Sequence, residues 1–115
     1  MSDRILWHNP RCSKSRQALA LLEENGAVFE IYAYLEAPPD RARLDQILGK
    51  LKIHAAGLLR TGQSEWKASG LTEDAPEDQL RDLIIANPIL IERPILEIGD
   101  QAIIGRPPER VLQIL

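Results

Sequence analysis

The stretch RILWHNPRCSKSRQALALLEENGAVFEIYAYL, from Arg4 to Leu35, decides the fold of this chain. It opens with a short apolar strand at Arg4–Trp7 and then shows helical spacing from about Ser13 to Asn25. Gly26 supplies a left-handed stop for the helix, and Val28–Leu35 carries the β-branched and aromatic residues typical of a second strand. Strand, helix and strand in this order predict a parallel pair joined by a right-handed crossover.

The middle of the chain predicts helices. Pro38-Pro39-Asp40 is typical of a helix start, and the apolar residues that follow keep helical spacing. Residues 54–70 predict short helical turns separated by glycines. Pro76-Glu77-Asp78 opens a further helix, which Asn87-Pro88 closes. This region is therefore expected to form a helical insertion.

The last third of the chain predicts a hairpin and a final helix. Ile95–Ile98 and Ala102–Ile104 flank Gly99-Asp100, and a glycine in the first turn position suits a tight hairpin. The final helix is expected to start at about Pro108. The complete order is β-α-β, helical insert, β-β-α, which predicts an α/β protein with a thioredoxin-like core and a helical insertion. We expect one domain over residues 1–115.

Composition excludes several classes of protein. The chain has 115 residues, 44% of them apolar, and a formal net charge of −3. The sequence has no apolar run long enough to span a bilayer, and its N-terminus shows no secretory signal. An acidic net charge argues against nucleic-acid binding, which needs a basic surface. The single cysteine suits a reducing compartment, so a cytoplasmic location is expected.

Three cations, Arg11, Lys14 and Arg16, surround the only cysteine within six residues. Acidic residues stabilise a first helical turn, so cations there disfavour the helix and favour the binding of an anion. Cys12 lies where the strand meets the helix, and the unpaired N–H groups of a helix start stabilise a thiolate. The alternative is a structural cysteine with solvated basic neighbours. The combined features favour a reactive thiol.

Ser15 and His8, together with Arg11, are predicted to support the thiolate. Ser15 follows Cys12 by one helical turn, so its hydroxyl can donate to the sulfur. His8 can orient groups or tune the charge near Cys12, and a loop histidine bonded to the backbone is the open alternative. Ser15 also occupies the position of the second cysteine in a dithiol motif, so an external thiol must complete any reaction. One cysteine and two histidines at this separation predict no metal site.

The segment HNPRCSKSR at residues 8–16 resembles the active-site segment of the glutaredoxin-coupled arsenate reductase family. Three later blocks are similar to that family in order and spacing: LLRT at residues 58–61, NPILIERPI at 87–95 and GRP at 105–107. The resemblance covers nearly the whole chain and implies a thioredoxin-like fold. Members that reduce arsenate usually continue beyond the position of Leu115, and shorter relatives also exist.

The family's site consists of a nucleophilic cysteine and three arginines. The resemblance implies that these functions fall on Cys12, Arg60, Arg93 and Arg106. Several fork-shaped guanidinium donors suit an arsenate dianion or a thiol–arsenate adduct. The resemblance also implies that Pro94 is a cis-proline that faces the nucleophile.

The implied activity is the reduction of arsenate to arsenite through an adduct on Cys12. Glutathione, as a co-substrate, and glutaredoxin would resolve the adduct, and no bound cofactor is expected. Two alternatives stay open. One is a glutathione-dependent thiol/disulfide reductase, and the other is a non-enzymatic, Spx-type regulator that binds RNA polymerase. Ser15 disfavours the regulator, because such proteins commonly carry a two-cysteine switch.

Overall fold

The computed structural model describes residues 3–115, which form two compact units. The first unit joins the N-terminal residues up to Ala37 to Arg93–Leu115, and the second is Pro38–Glu92. The second unit coincides with the predicted helical insertion. The expectation of one domain over the whole chain stays a prediction. Among residues 3–115, no helix combines the length and the apolar character needed to cross a membrane.

A four-stranded mixed sheet forms the centre of the first unit. Its strands are β1 (Arg4–Trp7), β2 (Glu30–Tyr32), β3 (Ile95–Ile98) and β4 (Gln101–Ile104), in the order β2-β1-β3-β4. Strands β1 and β2 are parallel, as predicted, and the other two pairings are antiparallel. Gly99, at φ +57°, occupies the first position of the β3–β4 turn and confirms the predicted hairpin.

Strand β2 is shorter than the predicted Val28–Leu35. Within the described residues 3–115 it pairs with β1 alone, where its three residues face Ile5–Trp7. Val28 precedes this strand and has 73% of its surface exposed. After Tyr32 the chain turns, with the N–H groups of Glu36 and Ala37 donating to the Ala33 carbonyl. The strand is therefore Glu30–Tyr32, shorter at both ends than the stretch that β-propensity predicted.

One face of the sheet carries the main apolar core of this unit. Helix α1 (Ser13–Glu24) and a 3₁₀ helix (Pro108–Ile114) pack together on it. The core side chains are Leu6, Ala18, Leu22, Leu96, Ile103 and Val111. Gly26, at φ +67°, ends α1 as predicted. The predicted final helix forms at the expected position, in the tighter 3₁₀ geometry.

The second unit consists of short helices. They are α2 (Arg41–Leu51), α3 (Ser64–Ser69) and α4 (Glu77–Ala86), with 3₁₀ turns at Ala55–Leu58 and Pro88–Leu90. Asp40 caps α2 by accepting the Arg43 N–H at 2.8 Å, which confirms the predicted start. Ion pairs link α2 to α4, since Arg41 contacts Asp78 and Asp82.

Candidate active site

Cys12 is the N-cap residue of α1, as the sequence predicts. Its N–H donates to the Asn9 carbonyl at 3.0 Å, and its own carbonyl accepts the Arg16 N–H at 3.0 Å. The residue is half-buried and its thiol is free. Because no side chain caps the helix, the first N–H groups of α1 are available to the sulfur.

The surroundings of Cys12 favour the thiolate. Partial burial taken alone would raise the pKa of this thiol. The Ser15 N–H, the Arg93 side chain and the Lys14 N–H all hydrogen-bond to the sulfur, and together with the charge of Arg93 they lower the pKa below its ordinary value. The helix start and one arginine therefore outweigh the cost of burial.

Two of the predicted arginines lie at the sulfur. Nη2 of Arg106 is 3.9 Å from Cys12 Sγ, and its Nε donates to the Arg93 carbonyl at 2.9 Å. Arg93 hydrogen-bonds to the thiol and is only 8% exposed. Both guanidinium groups thus approach one sulfur atom. An anion bound at this sulfur would meet planar, multidentate donors.

The backbone around these arginines has two cis peptide bonds. Arg93–Pro94 is cis, which confirms the predicted form of this bond, whereas the position of Pro94 facing Cys12 stays a prediction. Arg106–Pro107 is cis as well, which the sequence did not indicate. The Gly105 N–H donates to the Pro94 carbonyl at 2.8 Å. A Cβ at Gly105 would lie 2.9 Å from Pro94 Cγ, so only glycine permits this close approach.

Ser15 supports the thiol through its backbone N–H, whereas the sequence assigned that function to the hydroxyl. The fully buried Ser15 Oγ lies 2.6 Å from His8 Nδ1 and accepts the Asn9 N–H at 3.0 Å. It therefore ties together the loop before Cys12. Burial, and secondarily the charge of Arg16, lowers the pKa of His8. A neutral His8 packed against Ser15 fixes this loop.

Arg11, Lys14 and Arg16 are exposed. Arg16 Nη1 donates to the Pro10 carbonyl at 2.9 Å, which adds a tie across the loop. The backbone N–H of Arg11 donates to Asn9 Oδ1 at 3.0 Å. The charge that lowers the thiol pKa belongs to Arg93, 81 positions further along the chain, so support of the thiolate by Arg11 stays a prediction.

Arg60 lies in the second unit. Its N–H donates to the Leu90 carbonyl at 2.8 Å, and its Nε is 3.5 Å from Glu92 Oε1. Leu59 and Ile91 form a β-bridge beside it, which fixes the backbone of both segments. The predicted binding of an oxyanion by Arg60 stays a prediction.

A buried polar pair, Trp7 and Glu97, was not singled out in the sequence. Nε1 of Trp7 donates to Glu97 Oε1 at 3.1 Å, and the two residues are 0% and 2% exposed. Trp7 ends β1 and precedes the loop to Cys12, so the pair anchors the start of this loop. The available signal was a lone glutamate within the apolar strand Ile95–Ile98.

The described residues 3–115 contain no group of three or more His, Cys, Asp or Glu side chains that could hold a metal ion. The arrangement that they do contain is a half-buried thiol with a lowered pKa, at a helix N-terminus, contacted by two arginines. Such a thiol can attack an electrophilic centre that carries negatively charged oxygens.

Comparison with known proteins gives a consistent result. The profile of the ArsC family matches residues 7–114. The chain is 44% identical to the "Uncharacterized protein YfgD" of Escherichia coli K12, over 96% of this chain and 94% of that protein. It is 42% identical to an "Arsenate reductase" of Neisseria meningitidis, with both chains covered completely.

A solved structure gives the same picture. It is the "Arsenate reductase from Vibrio cholerae", with a TM-score of 0.93, 38% identity and 97% of each chain covered. The predicted α/β, thioredoxin-like fold is confirmed.

Proposed function

The chain belongs to the ArsC family, and from this premise we propose that it reduces arsenate to arsenite with Cys12 as the nucleophile. The observation that carries the proposal is the convergence of a helix N-terminus, Arg93 and Arg106 on one thiol whose pKa is lowered. A purely structural cysteine needs neither arginine. The names of the relatives from Neisseria meningitidis and Vibrio cholerae support arsenate as the oxyanion.

Arg93 and Arg106 are proposed to hold the arsenate oxygens beside the sulfur. A guanidinium group offers paired N–H donors that match two oxygens of a tetrahedral oxyanion, and it stays charged at any physiological pH. Arg60 is proposed as the third oxyanion ligand, on the basis of the family resemblance alone. The contact between Arg106 and the Arg93 carbonyl fixes the direction of one guanidinium before substrate binds.

The first step forms a sulfur–arsenic bond. The Cys12 thiolate attacks arsenic, one arsenate oxygen takes up protons and leaves as water, and arsenic remains pentavalent. The arginines neutralise the charge on the remaining oxygens while the anionic sulfur approaches. Activation of the thiol matters here, because the thiolate and not the thiol is the nucleophile.

Reduction then needs two electrons, which a single cysteine cannot supply alone. Glutathione is proposed to displace a second arsenic oxygen as water, which places two sulfur atoms on arsenic. A glutaredoxin thiolate next attacks the glutathione sulfur, and the electron pair of the sulfur–arsenic bond passes to arsenic. The two external thiols become a mixed disulfide, and water releases trivalent arsenite and regenerates Cys12. No bound cofactor takes part.

A coupled assay tests this function. The protein is mixed with arsenate, glutathione, glutathione reductase and glutaredoxin, and the oxidation of NADPH is followed. We expect oxidation that requires arsenate and this protein, while a mixed-disulfide substrate supports a much lower rate. Efficient turnover of the mixed disulfide without turnover of arsenate would instead support a thiol/disulfide reductase. The cytoplasmic location belongs to the same proposal, since Cys12 must stay reduced.

A further inference from the structure

Gly105 lies directly after β4, where the two segments that carry the active-site arginines meet. It is buried, and its N–H donates to the Pro94 carbonyl at 2.8 Å. Arg93 directly precedes Pro94 in the chain, and Arg106 directly follows Gly105. A second hydrogen bond joins the same two segments, from Arg106 Nε to the Arg93 carbonyl at 2.9 Å. One short contact therefore sets the backbone positions of both arginines.

The contact at Gly105 leaves no room for a side chain. A Cβ there would lie 2.9 Å from Pro94 Cγ and 2.9 Å from Val111 Cγ1. Carbon atoms in favourable contact lie about 3.5–4.0 Å apart, so each neighbour would have to move by about 0.6 Å. The proline ring is fixed to its own backbone, and Val111 is a fully buried, β-branched core residue. Because neither group can turn aside, an added Cβ would displace backbone.

We propose that Gly105 is a positioning residue of the active site: its lack of a side chain sets where the guanidinium groups of Arg93 and Arg106 lie relative to the thiol. A displaced Pro94 carries Arg93 with it, since the two residues share a peptide bond. A displaced Gly105 carries Arg106 instead. Either movement alters a contact with the Cys12 sulfur, because Arg93 hydrogen-bonds to it and Arg106 Nη2 lies 3.9 Å away. Active-site groups must be held to within about 0.5 Å, so a movement of this size matters.

The pKa of Cys12 reports this geometry without any substrate. Arg93 lowers that pKa through a hydrogen bond and through its charge, so a displaced Arg93 leaves the pKa closer to the ordinary thiol value of about 8.5. Arsenate turnover is the second readout, and only this readout rests on the proposed function. If Gly105 served the stability of the fold alone, its substitution would leave the thiol pKa of the folded protein unchanged.

The test is the Gly105→Ala protein, in which the thiolate absorbance of Cys12 is titrated in the folded chain. We expect the thiol pKa to rise towards its ordinary value. We also expect kcat/KM for arsenate to fall on the order of tenfold, since a misplacement of about 1 Å can cost roughly a hundredfold. The matched control is Gly49→Ala, because a Cβ at this glycine of α2 would meet nothing within 4 Å. The control should change neither quantity.

Two further variants separate positioning from stability. Val111→Ala removes the other neighbour of Gly105 and opens a cavity in the core, so it should lower the unfolding midpoint and leave the thiol pKa unchanged. The double variant Gly105→Ala/Val111→Ala relieves one of the two contacts, so it should fold where the single variant is too unstable to titrate. Its added Cβ still faces Pro94, so the thiol pKa should stay raised.

Three results would overturn the inference: a Gly105→Ala protein that folds with an unchanged thiol pKa, an equal rise of the pKa in Val111→Ala, or a normal pKa in the double variant. Any of these in a protein that reduces arsenate would leave the proposed function in place. A raised pKa in Gly105→Ala, when the unchanged protein does not turn over arsenate, would support the inference and remove the proposed function.

Discussion

The arginines of the two units have opposite surroundings. In the helical unit, Arg41 and Arg81 place their guanidinium groups against carboxylates, and both contact Asp45, at 3.1 and 2.6 Å. In the sheet unit, Arg106 directs its guanidinium group to the Cys12 sulfur and the Arg93 carbonyl. Arg41 and Arg81 thus neutralise carboxylates of the helical unit. Arg106, in contrast, holds positive charge beside a thiol, where an anion can bind.

The helix starts show the same contrast. Helix α4 has Glu77 and Asp78 in its first turn, where negative charge complements the helix dipole. The first turn of α1, which the structure describes in full, has no acidic residue and is capped by Cys12. The thiolate takes the place that carboxylates fill in α4. The charges at the start of α4 therefore serve stability, whereas the start of α1 is kept for a reactive thiol.

The largest effect is expected for Cys12→Ser. A serine hydroxyl at the helix start stays protonated and is a poor nucleophile towards arsenic. Arsenate-dependent turnover should fall roughly a thousandfold or more, the scale of loss when a nucleophile is removed. The thermal unfolding midpoint should change little, because the residue is half-buried. Retained turnover would show that the chemistry lies elsewhere.

A smaller but selective effect is expected for Arg106→Ala. The loss of a charge-assisted contact costs about 1.5–3 kcal/mol, which corresponds to a ten- to hundredfold loss of kcat/KM for arsenate. The matched control is Arg81→Ala, which removes an arginine of the helical unit and should leave kcat/KM unchanged. Equal losses of kcat/KM in both variants would contradict the distinction between arginines at the thiol and arginines paired with carboxylates.

Arg81→Ala should instead reduce stability. Arg81 is only 19% exposed in its side chain and contacts Glu77 and Asp45, at 2.9 and 2.6 Å. We expect the free energy of unfolding to fall by roughly 1 kcal/mol, measured by urea denaturation, and the loss to shrink at high salt. A loss that is the same at all salt concentrations would point to packing of the side chain.

The weakest effect concerns Glu77 in acid. Burial raises the pKa of this carboxyl, but the Ala55 N–H at 2.7 Å and Arg81 outweigh burial and lower it. A carboxyl with a lowered pKa stabilises the folded state above its ordinary pKa, and this contribution is lost as the pH falls through the lowered value. Urea denaturation at a series of acidic pH values should therefore show a shallower loss of stability in Glu77→Gln. If the stability of Glu77→Gln falls with pH as steeply as that of the unchanged protein, the stabilising role of the ionised Glu77 carboxyl would be contradicted.

Local patterns in the sequence predicted most of the fold. Hydrophobic periodicity, helix capping and turn chemistry act within a few residues. They predicted the strand Arg4–Trp7, the start of α2 at Asp40 and the hairpin at Gly99. The length of β2 did not follow, because the bounds of a strand are set by its pairing with other strands. Pairing depends on residues distant in the chain.

The candidate site divides in the same way. The position of Cys12 at a helix start was visible in the sequence, whereas the contact with Arg106 joins residues 94 positions apart. The family resemblance supplied that arginine. Local spacing predicted that the Ser15 hydroxyl would contact the sulfur. This prediction was wrong, because the hydroxyl contacts His8 and the Asn9 N–H instead. The pair of Trp7 and Glu97 was missed because it spans 90 positions.

The central claim is that the fold holds Cys12 as an activated thiolate, and titration of this thiol tests it most directly. Cys12 is the only cysteine, so the ultraviolet absorbance of the thiolate reports one group. The same chain unfolded in urea provides the matched reference, with a midpoint near the ordinary thiol pKa of about 8.5. The account predicts a folded midpoint clearly below that reference, because the Ser15 and Lys14 N–H groups and Arg93 stabilise the anion. A folded midpoint at or above the reference would contradict it.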